Sequence, residues 1–236
     1  MKGGVIAIDG PAASGKSTTA RAVAEALGFA HLDSGSLYRG VTLVGIREVV
    51  RRGHPGEDPL EVLGAEGLLR AAEDRGLMLQ PDGAGFAAYL EGEPVDTEIR
   101  GTEVTARVSA ISAVPVVREW INSRLRAMVR AGRDVVVDGR DIGTAVFPDA
   151  ELKIFLTATP EARAGRRIHQ RGNPVNPDRL EQEAAALAAR DRADSSRAVA
   201  PLRAAADAIP LDTTTMAFPE QVRFIVELAR PIFGQR

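Results

Sequence analysis

The chain of 236 residues contains no cysteine. This absence excludes disulfide bonds, thiolate metal sites and thiol nucleophiles, and it is typical of a protein in a reducing compartment. No apolar run approaches the length of a membrane span, and the first apolar segment begins at Val5, which leaves no room for a secretory signal. We therefore expect a cytoplasmic protein that does not enter a membrane.

Lysine is also scarce, since only Lys2, Lys16 and Lys153 accompany 27 arginines among the 30 basic residues. The formal net charge of -2 gives no general attraction to nucleic acid, so an anion-binding site has to come from local clustering. Hydrophobic residues make up 44% of the chain and charged residues 26%, as in a soluble globular protein. We expect a monomer that binds small molecules and no nucleic acid.

A glycine-rich segment after the apolar run Val5–Ile8 carries the most specific motif, G-x-x-x-x-G-K-[ST]. Its residues are Gly10, Pro11, Ala12, Ala13, Ser14, Gly15, Lys16, Ser17 and Thr18. This pattern is the phosphate-binding loop, in which backbone N–H groups converge on the phosphates of a nucleotide at a helix N-terminus. Lys16 adds a positive charge, and the Ser17 hydroxyl is a ligand for Mg²⁺.

The first part of the chain alternates strand, helix, strand and helix, which favours an α/β fold with a parallel sheet. From about residue 56 to residue 98 the pattern changes to a short helix and antiparallel strands, with turns at Pro81–Gly83 and Glu91–Pro94. We predict a small inserted antiparallel β subdomain here. Two helices that are interrupted at Pro115, the second ending at Gly132, and the buried strand Val135–Val137 then resume the α/β pattern.

The remaining sequence predicts another strand, two polar helices, and a closing strand and helix. The polar helices, over about residues 161–197, would form a helical lid that hinges near Gly165 and Gly172 and excludes water. The core would comprise about residues 1–55, 99–160 and 198–236. The expected architecture is one P-loop domain with a parallel sheet and helices on both faces.

Several groups of basic residues can supply the positive charge that phosphoryl transfer requires. They are Ser34 with Arg39, Arg140 with Asp141, and Arg163, Arg167 and Arg171 with Arg166 beside them. The last group recurs at four-residue spacing, so its charges share one helix face and favour an anionic partner, with a solvated face as the alternative. Arg190, Asp194 and Arg197 share another helix face, where a purely structural set of ion pairs is the alternative.

These residues lie in segments that resemble the bacterial cytidylate kinases. The matching segments read I-D-G-P-A-A-S-G-K-S-T from Ile8, L-D-S-G-S-L-Y-R from Leu32, L-E-G-E-P-V from Leu90, I-R from Ile99, D-G-R-D-I-G-T-A-V-F-P-D-A from Asp138 and R-D-x-x-D-S-S-R-A-V-A-P-L from Arg190. They follow one another in order over nearly the whole chain. The resemblance implies a P-loop nucleoside monophosphate kinase fold and transfer of the ATP γ-phosphoryl group to CMP or dCMP, with Mg²⁺.

The resemblance also implies roles for individual residues. It places the cytosine contacts on Ser109, Arg118 and Asp141, the monophosphate contacts on Arg39, Arg140 and Arg197 with Ser34 nearby, and the sugar contacts on Arg190 and Asp194. The residues expected at the moving phosphoryl group are Lys16, Arg140, Arg163, Arg167 and Arg197. The base contacts make chemical sense, because a carboxylate accepts from the cytosine amino group while a hydroxyl and a guanidinium donate to N3 and O2.

Two other functions stay open at this point. One is a kinase for another small acceptor, such as UMP or a hydroxylated metabolite; uracil would place a carbonyl oxygen opposite the Asp141 carboxylate. The other is a P-loop switch or regulatory ATP-binding module without a phosphoryl acceptor. Arginines that suit a second anionic ligand argue against the module.

Overall fold

Strands and helices alternate through the chain, which the computed structural model describes over residues 3–129 and 132–234. In chain order the elements are β1 (Val5–Asp9), α1 (Lys16–Leu27), β2 (Ala30–Asp33), α2 (Ser34–Arg51), α3 (Pro59–Asp74), β3 (Met78–Asp82), β4 (Gly85–Leu90), β5 (Glu93–Pro94), α4 (Thr102–Ile111), α5 (Pro115–Val129), β6 (Val135–Gly139), β7 (Leu152–Thr157), α6 (Pro160–Gln170), α7 (Pro177–Ser195), β8 (Ile209–Asp212) and α8 (Phe218–Phe233). A 3-10 helix covers Glu98–Arg100 and a π-helical turn covers Ile142–Val146.

These elements form two compact units. The first unit consists of Met1–His31 and Val129–Arg236, and the second of Leu32–Met128. The predicted insertion, residues 56–98, lies inside the second unit. No helix in the described part of the chain is both long enough and apolar enough to cross a membrane.

The first unit is built on a parallel sheet with the strand order β6, β1, β7, β8. Ile6 of β1 lies opposite Val136 of β6 on one side and Leu152 of β7 on the other. Every residue of β1 and of β6 is buried, which is typical of central strands in a parallel sheet. Helices α1 and α8 pack together, and their apolar residues join Ile6 and Ile8 in one buried cluster. The predicted parallel α/β fold is therefore confirmed.

Polar side chains cap the first turn of helices α2, α6 and α7. The Asp33 side chain accepts a hydrogen bond from the Gly35 N–H at the start of α2. Thr159 and Asn176 cap α6 and α7 in the same way, and each is followed by a proline in the first helical turn. The caps fix the start of each helix relative to the strand or loop before it.

The second unit contains α2 to α5 and the antiparallel strands β3, β4 and β5. The predicted turn at Pro81–Gly83 is wrong by two residues, because Pro81 pairs with Phe86 and Asp82 with Gly85, so the chain turns at residues 83–84. Pro81 is tolerated within β3 because this strand lies at the edge of the sheet. The second predicted turn, Glu91–Pro94, is confirmed at Glu91 and Gly92, which both have positive φ as a tight hairpin turn requires, whereas Glu93 and Pro94 belong to strand β5.

Helix α3 of the second unit extends further than predicted, and helix α5 begins where the interruption at Pro115 predicts. Helix α3 continues to Asp74 and is interrupted by a non-helical Gly64, with a φ of 64°. Helix α5 begins at Pro115 and is described to Val129. The helix was predicted to end at Gly132. Residues 130 and 131, which precede that glycine, lie outside the described residues.

Candidate functional site

The phosphate loop connects the end of β1 to the start of α1 in the first unit, as predicted. Gly10 has a φ of 153°, and a Cβ atom there would lie 2.1 Å from the Leu156 carbonyl oxygen, so only glycine fits. Ala13, with a φ of 58°, is one of few non-glycine residues in the left-handed region. The loop therefore holds an unusual backbone conformation that its surroundings have to maintain.

Lys16 is buried at the start of α1, with its Nζ donating to the Pro11 carbonyl oxygen at 2.7 Å. Burial lowers the pKa of this amine well below its usual value, and the positive charge of Arg140 and, to a smaller extent, Arg190 lowers it further. The carboxylates of Asp138 and Asp9 act in the opposite direction. The charges of Arg140 and Arg190 thus act on Lys16, and an anion bound at the phosphate loop would offset this repulsion.

Asp138 at the end of β6 links the loop to the interior. The Ser17 hydroxyl donates to Asp138 Oδ2 at 2.5 Å, and His31 Nε2 lies 2.8 Å from Asp138 Oδ1. Both His31 and Asp138 are buried. The histidine therefore orients a carboxylate that stands beside the predicted magnesium ligand, Ser17.

Asp9, the last residue of β1, holds the segment that follows β6. Its carboxylate accepts hydrogen bonds from the Ile142 N–H at 2.8 Å and the Gly143 N–H at 2.7 Å, at the start of the π-helical turn. Burial raises the pKa of Asp9 to about 6, with a smaller contribution from Asp141, although the two backbone N–H groups and Lys16 lower it. The buried Asp141, which the sequence predicts at the cytosine base, directly precedes this turn.

Two predicted phosphate contacts of the first unit meet at one carboxylate. Asp194 on α7 is 1% exposed; its Oδ2 accepts from Arg140 Nε at 3.1 Å, and its Oδ1 accepts from Arg197 Nη2. Arg140 also donates to the Gly139 carbonyl oxygen at 3.3 Å. The ion pairs that the sequence left as an alternative for Asp194 and Arg197 are present. Arg190, on the same helix, is half-buried and close enough to Lys16 to affect its pKa.

The arginines at four-residue spacing along and just after α6 have their anionic partners within the protein, on α7, whereas Arg166 donates to the Ser14 and Thr213 carbonyl oxygens and to Thr213 Oγ1. Arg167 Nε lies 2.9 Å from Glu183 Oε1, and Arg171 Nη1 donates to Glu183 Oε2 at 2.8 Å. Arg163 is buried and pairs with Asp191 at 2.5 Å. The carboxylates of Glu183 and Asp191 therefore offset the like-charge repulsion along this face.

The two glycines predicted as hinges differ in their settings. Gly165 lies within α6, where a Cβ atom would be 3.9 Å from Leu180 Cδ1 of α7. Gly172 follows α6 and has a φ of 69°, in the connection to α7. Positive φ at Gly172 agrees with a turn between the two helices.

The second unit carries the other predicted substrate contacts. Ser34 is buried at the first position of α2, and Arg39 Nη1 donates to the Ile99 carbonyl oxygen at 3.1 Å and to Thr105 Oγ1 at 2.9 Å. On α5, Arg118 is 3% exposed; its Nη1 donates to the Ser112 carbonyl oxygen at 2.9 Å.

Those contacts tie Arg118 to the end of α4, the helix that carries Ser109. The Ser112 hydroxyl donates to the Ser109 carbonyl oxygen at 3.0 Å. The Arg118 guanidinium also stands 5.4 Å from the centre of the Tyr38 ring. The structure thus brings the regions of Ser109 and Arg118 together within the second unit.

The sequence did not identify Asp9, Asp138 or Asp191 as functional. A signal exists for the first two, since each directly follows the apolar run of its strand, and ligands of α/β sheets lie beyond the carboxyl ends of the strands. Asp191 follows Arg190 in the last matching segment, but its partners are on α6 and in the phosphate loop, far away in the sequence.

Comparisons with known proteins agree with the resemblance. The family model described as cytidylate kinase matches residues 6–231. A cytidylate kinase from Mycolicibacterium paratuberculosis is 44% identical over 228 residues, which cover 96% of this chain and 95% of that protein. A cytidylate kinase from Geobacillus kaustophilus is 41% identical over 232 residues, which cover 97% of each chain. Among solved structures, one from Thermus thermophilus covers 99% of both chains at 20% identity, with a TM-score of 0.48.

Proposed function

The chain belongs to the cytidylate kinase family, and we infer that it transfers the γ-phosphoryl group of ATP to CMP and dCMP, forming CDP and dCDP. ATP is the phosphoryl donor. The observation that carries this function is the phosphate loop between β1 and α1, with Lys16 buried in it and the Ser17 hydroxyl bonded to Asp138. Positively charged side chains that repel one another in the free protein are stabilised when an anionic phosphoryl group binds beside them.

Lys16 would hold the donor phosphates, because its ammonium follows the glycine-rich loop at the helix N-terminus. Arg140 and Arg197, held by Asp194, would contact the monophosphate. Arg190 and Asp194 would contact the sugar. The sequence also predicts Arg163 and Arg167 at the moving phosphoryl group, and that role stays a prediction.

Cytosine recognition would require the protein both to accept hydrogen bonds from the base and to donate hydrogen bonds to it. Asp141 is buried, and an ionised carboxylate can only accept, so it would accept from the amino group of cytosine. In the second unit, Ser109 and Arg118 would donate to N3 and O2 of the base, while Ser34 and Arg39 would contact the monophosphate. UMP presents an acceptor where CMP presents a donor, and it would leave Asp141 facing an oxygen.

Mg²⁺ fits beside Ser17. The Ser17 hydroxyl and the Asp138 carboxylate are 2.5 Å apart, and P-loop enzymes hold this ion with one hydroxyl and one such carboxylate. The described residues contain no group of three or more His, Cys, Asp or Glu side chains suited to a metal ion, so phosphate oxygens and water would complete the coordination. When bound, Mg²⁺ neutralises charge on the phosphates.

An ADP-release assay over CMP, dCMP, UMP, AMP and no acceptor tests the proposed function. We expect ADP with CMP and dCMP, less with UMP, and almost none without an acceptor. ADP release that does not depend on any monophosphate would favour the ATP-binding module instead. A preference for UMP or AMP would favour the kinase for another acceptor.

Three further predictions accompany this function. They are the cytoplasmic location, the monomeric state without a nucleic-acid or membrane partner, and the division into a core, an insertion over residues 56–98 and a lid over residues 161–197. Sedimentation of the purified chain would test the second, and a single species at the monomer mass is expected.

A further inference from the structure

Helices α6 and α7 contact the phosphate loop at Ala12, and Arg166 of α6 also donates to the Ser14 carbonyl oxygen at 3.3 Å. The Ala12 N–H donates to Asp191 Oδ1 at 3.0 Å, and Arg163 Nη1 donates to the Ala12 carbonyl oxygen at 3.0 Å. Arg163 and Asp191 also pair with each other at 2.5 Å. The two peptide groups on either side of Ala12 are therefore both fixed by one ion pair.

The surroundings make this ion pair rigid. Arg163 is 5% exposed, and its Nε donates to the Ala158 carbonyl oxygen at 3.1 Å, which fixes the plane of the guanidinium. The Ala12 side chain is buried against Ala164 of α6 and Leu187 of α7. Apolar packing thus holds the loop at the same place as the charged contacts.

The backbone next to Ala12 explains why the loop needs this support. Ala13 has a φ of 58°, in a region that residues with a side chain rarely adopt. The Ala12 carbonyl belongs to the peptide group that joins Ala12 to Ala13, so its orientation sets this φ. A loop whose N–H groups are already oriented binds phosphate more tightly than one that has to be ordered on binding.

We propose that Arg163 and Asp191 are positioning residues that hold the phosphate loop in the conformation that binds ATP. They act through Ala12. The inference rests on the proposed function only in that the loop binds ATP; it does not depend on the identity of the acceptor. It also assigns a role to Asp191, which the resemblance leaves without one.

The test measures the Kd of MgATP by calorimetry without any acceptor, and the KM of CMP under saturating ATP. We expect Asp191→Ala to raise the Kd of ATP about tenfold, the effect of losing one charge-assisted hydrogen bond, and to change the KM of CMP by less than about twofold. Asp191→Asn should have a smaller effect, because its carbonyl oxygen can still accept from the Ala12 N–H. Arg163→Lys should weaken ATP binding as well, since a single ammonium cannot replace the planar fork.

Glu48→Gln is the matched control. Glu48 is a buried carboxylate of the second unit that bonds to Arg51 at 2.6 Å and to Arg52 at 2.9 Å, and it is not part of the phosphate loop or of the predicted substrate contacts. We expect this variant to lower the melting temperature and to leave the Kd of ATP unchanged. Loss of stability and loss of ATP affinity are thereby separated.

An unchanged Kd of ATP in a folded Asp191→Ala variant would overturn the proposal. Equal weakening toward ATP and CMP would also overturn it, because a general structural defect would act on both. If Asp191→Ala fails to fold, amide hydrogen exchange at Ala12 in Arg163→Lys decides: exchange about tenfold faster than in the wild type supports the proposal, and unchanged exchange contradicts it.

Discussion

Replacing Asp9 by asparagine tests whether a buried carboxylate organises the segment after β6. Asp9 is 5% exposed and accepts hydrogen bonds from the Ile142 and Gly143 N–H groups. An asparagine keeps the shape but offers a single carbonyl oxygen, and its NH₂ group would face one of these two donors. The ionised carboxylate accepts from both donors but bears the cost of burial, so the effect of Asp9→Asn on the free energy of unfolding depends on the pH.

The pH dependence of that change can be worked out. Burial raises the pKa of Asp9 from 3.8 to about 6 in the folded protein. Between these values the folded state holds a proton that the unfolded state has released, so the contribution of Asp9 to stability falls as the pH rises through this window. The raised pKa lowers the free energy of unfolding by about 3 kcal/mol at pH 7 and by about half as much at pH 5.

Urea unfolding of the wild type and of Asp9→Asn at pH 7 and pH 5 isolates this group, because asparagine does not titrate. The difference in unfolding free energy, wild type minus variant, should increase by about 1 kcal/mol when the pH is lowered from 7 to 5. A difference that stays constant between the two pH values, or that decreases toward pH 5, would refute the raised pKa.

Three further variants test separate parts of the molecule. Lys16→Ala should lower kcat by about a hundredfold or more while CMP binding stays measurable by calorimetry, since the lysine serves the ATP phosphates; unchanged turnover would contradict its role. Asp141→Ala should narrow the preference for CMP over UMP in kcat/KM by about ten- to a hundredfold, and an unaltered ratio would remove it from base recognition. Glu48→Ala should lower the unfolding free energy by about 2 kcal/mol at pH 7, a value discounted for the solvent around Arg51 and Arg52. Hydrogen bonds from Arg51 lower the pKa of Glu48 to about 2, so the difference between wild type and Glu48→Ala should disappear as the pH falls from about 4.5 to 2; a difference that persists at pH 2 would contradict this account.

The sequence predicted the layered fold because local signals agree with it. The apolar segment Val5–Ile8, the glycine-rich loop and the helical pattern after it each favour the same strand, loop and helix. The turn between β3 and β4 was predicted too early in the chain because proline and aspartate usually mark turns. Pro81 lies instead at an edge strand, and its tolerance there depends on the absence of a neighbouring strand, which local sequence does not reveal.

The partners of the α6 arginines were beyond local reasoning. Spacing showed that Arg163, Arg167 and Arg171 share a helix face and favour an anionic partner. It could not show that α7 packs against this face and supplies Asp191 and Glu183, because that depends on the packing of two helices. The requirement for an anion was predictable, and its origin within the protein was not.

The scarcity of lysine distinguishes Lys153 as well as Lys16, and both are buried. The Lys153 Nζ donates to the Pro148 carbonyl oxygen at 2.5 Å and to Asp207 at 2.9 Å. A Cβ atom at Gly143 would lie 3.1 Å from the Lys153 Cδ, so the slender lysine stem fits against the same segment that Asp9 holds.

Asp194 shows that the structural and the functional interpretations of one helix face are compatible. Its carboxylate lies between Arg140 and Arg197 and is almost fully buried, so it cancels one of their two positive charges in the free protein. Without it, two guanidinium groups in this position would repel each other and separate before a phosphate arrived. A guanidinium carries five N–H donors, and the Arg140 bond to Asp194 through Nε uses one of them. The ion pairs therefore hold the two arginines together while leaving one net positive charge for the monophosphate.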